Sequence, residues 1–149
     1  MPSDARPWHG GRVLVCDDNL LMAEVVAEFL RECGLEPVGP VGQLESTMQM
    51  AHEGALDGAI LDINLRGRPS FPVCAILSAR RIPFVFLTGY SDASIPVEYR
   101  AAPLVTKPFD ATEMAEVIAE MVGLPWPLPE HLHPASGTDP SMAARRPMG

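Results

Sequence analysis

Residues 12–34 read RVLVCDDNLLMAEVVAEFLRECG, and the fold follows from the change of period inside this stretch. RVLVC is a short apolar run of the kind that makes a strand buried on both faces, and it stops at two consecutive aspartates, Asp17 and Asp18. Beyond them Met22, Val25, Val26, Phe29, Leu30 and Cys33 recur at spacings of three and four, which predicts an amphipathic helix. Gly34 stands where a helix C-terminus favours a left-handed residue.

The same alternation continues outward. LEPVGPV (35–41) predicts a second strand, and Pro37 and Pro40, which cannot donate to a ladder, put it at a sheet edge. QLESTMQMAHEG (43–54) predicts a helix ending at Gly54, and GAILDI (58–63) a third buried strand. RGRPSFP (66–72) reads as loop, with Pro72 taking the first helical position of PVCAILSARR (72–81), where its missing N–H costs nothing. PFVFLT (83–88) and APLVTK (102–107) predict the fourth and fifth strands. Between them, residues 91–100 predict only a marginal helix, because Pro96 has no donor and disfavours helix at Ile95. DATEMAEVIAEMVG (110–123) predicts a last helix with Asp110 as N-cap, Glu113 three residues on, and Met114, Val117, Ile118 and Met121 on one face. Five strands alternating with helices through short connections imply an α/β fold, a parallel sheet covered on both faces.

Composition bounds the function. At 149 residues and 47% hydrophobic, the chain suits one domain, expected over residues 12–122 between a flexible arm (1–11) and a Pro-rich tail (123–149) anchored at most by Trp126. A net charge of −8 argues against a nucleic-acid surface, which needs Lys and Arg on phosphates. Cys16, Cys33 and Cys74 are odd in number and lack C-x-x-C spacing, so neither a disulfide framework nor a zinc site is indicated. The first residues lack the apolar core of a signal peptide and no run reaches the ~18 residues of a membrane span, so a soluble, cytoplasmic protein with no membrane partner is expected. His131 and His133 have a metal-binding spacing, but in a Pro-rich tail that spacing is ordinarily idle. Met22, Met48, Met50, Met114 and Met121 fall on apolar helix faces and are expected in the core.

In open parallel sheets, function gathers in the crevice beyond the carboxyl ends of the strands. Here those ends carry Asp17-Asp18, Asp62 followed by Ile63-Asn64, Thr88-Gly89, and Lys107-Pro108, Lys107 being the only lysine of the chain. Singly, an aspartate after a strand is a turn former and a lysine a solvated gatekeeper. Together they make a site. Three carboxylates held close repel one another, which raises a pKa or recruits a cation. An all-oxygen donor set favours Mg2+. With Mg2+ on Asp18 and Asp62, one Asp62 oxygen stays free to attack phosphorus, while Lys107 and the Thr88 hydroxyl neutralise charge on the transferring phosphoryl oxygens. The product expected of such chemistry is an aspartyl phosphate.

The order Asp-Asp, Asp, Thr, Lys-Pro at successive strand ends resembles the receiver domain of bacterial two-component response regulators, over residues 12–122. That resemblance implies a flavodoxin-like fold with strand order 2-1-3-4-5. It implies Asp62 as phosphoacceptor, Mg2+ held by Asp18, Asp62 and the backbone carbonyl of Asn64 with help from Asp17, and phosphoryl contacts from Thr88 and Lys107. Lys107-Pro108-Phe109 is similar to the family's KPF motif, so a cis peptide before Pro108 is expected. The implied activity is autophosphorylation and dephosphorylation on Asp62, not turnover of a substrate. The implied partner is a sensor histidine kinase, possibly of HWE type, or a histidine phosphotransfer protein docking near Leu20 and Leu21, with the chain a monomer or weak dimer.

Most receivers carry an aromatic residue three positions before the lysine, and here that position is Leu104. A subgroup named for a FATGUY motif shares the lack, and FVFLTGY (84–90) is similar to that motif, with Leu87 in place of its Ala. The resemblance implies a stand-alone receiver in which Tyr90, on the Thr88-Gly89-Tyr90 hinge, moves on phosphorylation. It also places Asn64 and Tyr90 at the positions that tune hydrolysis. With no output domain expected after residue 122, output would be protein binding, phosphate relay or a phosphate sink. Two other readings stay open on the residues alone. A haloacid-dehalogenase-type phosphatase also uses an Asp nucleophile with Mg2+, but wants Asp-x-Asp early and its acidic pair last. A pseudo-receiver would bind partners without being phosphorylated.

Overall fold

The computed structural model describes residues 11–89 and 95–123. Most of the expected arm, Tyr90 with residues 91–94, and residues 124–149 with Trp126, His131 and His133 lie outside the described residues. The elements are β1 (Arg12–Cys16), α1 (Leu20–Cys33), β2 (Glu36–Val41), α2 (Leu44–Glu53), β3 (Gly58–Leu61), β4 (Asn64–Leu65), β5 (Arg68–Pro69), α3 (Phe71–Ala79), β6 (Phe84–Thr88), β7 (Leu104–Thr106) and α4 (Ala111–Val122).

β1 pairs in parallel with β2 and β3, β3 with β6, and β6 with β7, giving the sheet order β2-β1-β3-β6-β7. Among the five sheet strands that is the expected order 2-1-3-4-5, with proline-bearing β2 at one edge.

Because side chains alternate along a strand, each strand feeds two cores. Val13 and Val15 of β1, Ile60 of β3, Val85 and Leu87 of β6 and Val105 of β7 meet Val26, Phe29 and Leu30 of α1 and Met114 and Ile118 of α4. Leu14, Cys16, Ala59, Leu61 and Phe86 point the other way, into Leu44 and Ala51 of α2 and Val73, Cys74 and Leu77 of α3. All three cysteines are free and buried, and burial pushes each thiol up to about 12. They are packing residues. The five methionines expected in the core all belong to one of these two clusters.

Local chemistry sets the helix ends. Asn19 accepts from the Met22 N–H and Asp110 from the Glu113 N–H, each supplying an acceptor to an orphan donor of the first turn. Gly34 takes the left-handed conformation (φ 96°) that reverses the chain after α1. α3 begins one residue earlier than expected, so Phe71 is its first residue and Pro72 its second. Pro72 still loses nothing there, since the first four N–H groups of a helix have no partner within it.

One connection differs from the expected loop, and another keeps to the weak helix expected of it. Residues 64–69 form an antiparallel ribbon, β4 with β5, around Arg66 and Gly67. Both of those residues have positive φ (56° and 84°), as the two-residue hairpin turn that matches strand twist requires. Between β6 and β7 the described residues form a single 3-10 turn, Val97–Tyr99, in keeping with the short or irregular fourth helix expected there. No helix among the described residues is long and apolar enough to cross a membrane.

Candidate functional site

The backbone of the sheet places the acidic residues before any side chain acts. The Asp17 N–H donates to Val41 O and the Asp62 N–H to Cys16 O (both 2.9 Å), so both aspartates continue their ladders past the last strand residue. Gly42 makes room for the pair. A Cβ there would lie 3.0 Å from the Asp17 carbonyl oxygen and 3.2 Å from Asp18 Cα. Sequence reasoning missed Gly42; a glycine one step beyond the second strand, opposite Asp-Asp, was the available signal.

Carboxylate oxygens of Asp17, Asp18 and Asp62 lie within 4.8 Å of one another. Asp17 and Asp62 are buried and Asp18 is partly exposed. Lys107 reaches in from the end of β7: its Nζ is 2.7 Å from Asp17 Oδ2 and 3.1 Å from Asp62 Oδ2. The Lys107 N–H donates to the Thr88 carbonyl (2.9 Å), which fixes the lysine's starting point beside the fully buried Thr88. The Lys107–Pro108 peptide is cis, as expected.

Each carboxylate has further partners. Asp17 Oδ1 accepts from the Asn19 N–H (2.9 Å), Asp18 Oδ2 from the Arg66 N–H (2.8 Å), and Asp62 Oδ1 more weakly from the Asn64 N–H (3.4 Å). The Asn64 side chain is committed elsewhere, its Oδ1 accepting from the Gly67 N–H at 2.6 Å. The Arg66 contact was not foreseen, because its cause is the ribbon, which the sequence presents as loop.

Burial pushes the Asp62 carboxyl up from its ordinary value; the Lys107 hydrogen bond opposes this, and the Asp17 charge adds to it. Burial alone would lower Lys107, but its hydrogen bonds to Asp17 and Asp62 outweigh that and hold its pKa up. Lys107 is therefore a cation at neutral pH.

The donor set fits a hard divalent cation. Three carboxylates against one ammonium leave a formal charge of −2 in a partly buried cluster, and every donor is oxygen. Among the described residues, Asp17, Asp18 and Asp62 are the side chains grouped to hold such an ion.

Around this cluster, Leu20, Leu21 and Val25 stand exposed on α1 (57%, 77% and 48%) immediately beyond the acidic pair. On the α3 side, Tyr99 stacks on Phe71 (centroids 6.1 Å) and meets Phe84 edge-on (6.0 Å), while Phe86 packs edge-on against both phenylalanines. Leu104 is half-buried in the same cluster, opposite Phe86 across the β6–β7 ladder. The sequence reading passed over Tyr99; its ring partners are far away in the chain.

Comparison with known proteins agrees with this geometry. The family model of the response regulator receiver domain matches residues 13–119. The transcriptional regulatory protein PdtaR of Mycobacterium tuberculosis is 30% identical over 111 residues, 72% of this chain and 54% of PdtaR. The chain thus spans about half the length of the curated relatives it matches. The solution structure of SdrG from Sphingomonas melonis Fr1 superposes with a TM-score of 0.68 at 36% identity, covering 80% of this chain and 99% of SdrG. The receiver domain of the sensor histidine kinase PA1611 from Pseudomonas aeruginosa, which holds magnesium in its active-site cleft, shares the fold (TM-score 0.65, 21% identity, 76% of this chain and 98% of that one).

Proposed function

The chain belongs to the response regulator receiver domain family, and from that membership we propose that it accepts a phosphoryl group on Asp62 from a sensor histidine kinase or a histidine phosphotransfer protein. The observation that carries this is the Asp62 carboxylate: buried, raised in pKa, and facing Lys107 within a cluster of two further aspartates. Family membership also leaves no place for a haloacid-dehalogenase-type phosphatase.

An Asp62 carboxylate oxygen attacks the phosphorus of the phosphohistidine. The O–P bond forms as the N–P bond breaks, and the imidazole leaves with the electron pair. Lys107, already bonded to Asp62, shifts its ammonium onto a phosphoryl oxygen, and the Thr88 hydroxyl takes another. Asp17 keeps the ammonium in the cluster during that shift. Mg2+ would be held by Asp18, Asp62 and the Asn64 carbonyl, with Asp17 assisting, and would supply positive charge against the phosphoryl oxygens. Hydrolysis of the acyl phosphate reverses the charge changes, with Asn64 and Tyr90 at the positions that govern the approach of water.

Partner docking is assigned to α1, where Leu20 and Leu21 present apolar surface beside the acceptor. The similarity of FVFLTGY to the FATGUY motif supports a stand-alone receiver of that subgroup, paired with an HWE-type kinase. It also supports a switch in which Tyr90 follows Thr88, since Leu104 has no ring to rotate.

The test is phosphate incorporation from acetyl phosphate or a kinase, with Mg2+, read by intact mass. Wild type should gain one phosphoryl group and Asp62→Asn none. Uptake by neither protein would instead make the chain a pseudo-receiver, binding partners without phosphorylation.

A further inference from the structure

Two non-glycine residues among those described have positive φ, Arg66 (56°) and Arg81 (61°). Arg81 has an ordinary cause. It reverses the chain after α3, its N–H donating to Ser78 O and the next N–H to Leu77 O. Arg66 is different: it occupies the first central position of a two-residue hairpin turn, where asparagine, aspartate or glycine is cheap. A long side chain in the left-handed region costs about 1–2 kcal/mol. Backbone strain of that kind persists where surrounding contacts over-determine it, commonly at a functional site.

What the strained residue holds is Asp18. The Arg66 N–H donates to Asp18 Oδ2 at 2.8 Å, across 48 positions of sequence. Lys107 is shared by Asp17 and Asp62, so among the described residues it is the Arg66 N–H that ties the Asp18 carboxylate to another segment. The ribbon has ties besides this one: Leu65 is buried in the core, Ser70 N–H donates to Ile63 O at 2.8 Å, and Gly67 N–H closes the turn on Asn64 Oδ1. The donor's position thus does not depend on the Asp18 contact alone.

We propose that the backbone of Arg66 is a positioning element for the cation site. Its N–H engages one oxygen of Asp18, sets the rotamer of that half-exposed carboxylate, and leaves the other oxygen to the cluster. Outer contacts that orient a ligand typically change metal affinity by about 10–100-fold when lost. The purpose given to the site rests on the phosphoacceptor reading, but the contact itself is tested without it.

The test removes the donor alone, by installing the α-hydroxy analogue of arginine at position 66 so that the 65–66 linkage is an ester. Mn2+ binding is read by electron paramagnetic resonance in the full chain, with circular dichroism to show that the protein is folded. The ester should bind Mn2+ about 10-fold more weakly than wild type. Arg66→Gly, which keeps the N–H and removes the strain, should bind at least as tightly as wild type and melt higher. The proposal is overturned if the folded ester binds within about twofold of wild type, if Arg66→Gly loses as much as the ester, or if wild type binds no Mn2+. Phosphate uptake by the same wild-type preparation separates the two ideas. Weakened Mn2+ binding in the ester without phosphate uptake by wild type sinks the phosphoacceptor reading and leaves the positioning role standing.

Discussion

The connections that leave β3 and β6 start side by side on the same rim, after Asp62 and after Thr88, yet they are held differently. In the ribbon after β3 only Leu65 is buried, and the other ties to the rest of the molecule are polar: Arg66 to Asp18 and Arg68 to Glu45. The described part of the connection after β6 is held by apolar surface, with Ile95 buried and Tyr99 against Phe71 and Phe84. Polar contacts are directional and sense the charge of the cluster they touch. Ring packing depends on buried area and ring geometry and makes no bond to the charged cluster. One connection thus touches the acidic site directly, while the described part of the other rests on the core.

The largest effect tests the charge they share. Lys107→Ala leaves Asp17 and Asp62 facing each other without a cation, and should cost about 2–3 kcal/mol in urea melts with chelator, less than the loss of a fully buried partner because the ammonium is partly wet. Added Mg2+ should recover part of that loss, whereas a purely apolar packing defect would not respond to it. Asp62→Asn should shift stability the other way. A carboxyl whose folded pKa is raised gives full stability below its unfolded value and loses it as pH rises through the folded one, so at pH 7 the ionised group is a cost. Asn removes the cost, and the chelated variant should melt above wild type at pH 7 with the difference vanishing toward pH 3.

Tyr99→Ala should cost about 1.5 kcal/mol from two lost ring contacts. Its mark should be faster amide exchange at residues 97–102, with Mn2+ affinity unchanged. A fall in Mn2+ affinity would mean that the two connections are not separate. Gly67→Ala places a Cβ at φ 84° in open space, so the expense of about 1 kcal/mol is conformational alone. It should weaken Mn2+ binding and spare residues 97–102, the mirror image of Tyr99→Ala. Arg68→Ala should be smallest, since its partner Glu45 is fully exposed: no measurable change in melting temperature is expected.

The legibility of these parts in the sequence follows the same division. The rim was legible because each of its residues ends a run of strand period, and because Lys107 is the only lysine of the chain. The parallel sheet with helices on both faces follows from five alternating periods and the handedness of crossovers, while the strand order came from the family resemblance. The ribbon was not legible. Its strands are two residues long, too short to show alternation, and its turn is Arg-Gly where the recognisable signal is Asn-Gly. The aromatic cluster was hidden for another reason. Residues 71, 84, 86 and 99 belong to three separate segments, and no local pattern announces that they meet.

Proline in β2 has a consequence beyond its place in the sheet order. Pro37 and Pro40 cannot donate, and the register slips between Leu14 and Cys16, so the outer side of β2 presents a broken row of donors. The opposite edge, β7, is three residues long. Both margins are poor templates for an added strand from a second copy or from an unfolding neighbour. At high concentration the domain should therefore resist strand-to-strand aggregation.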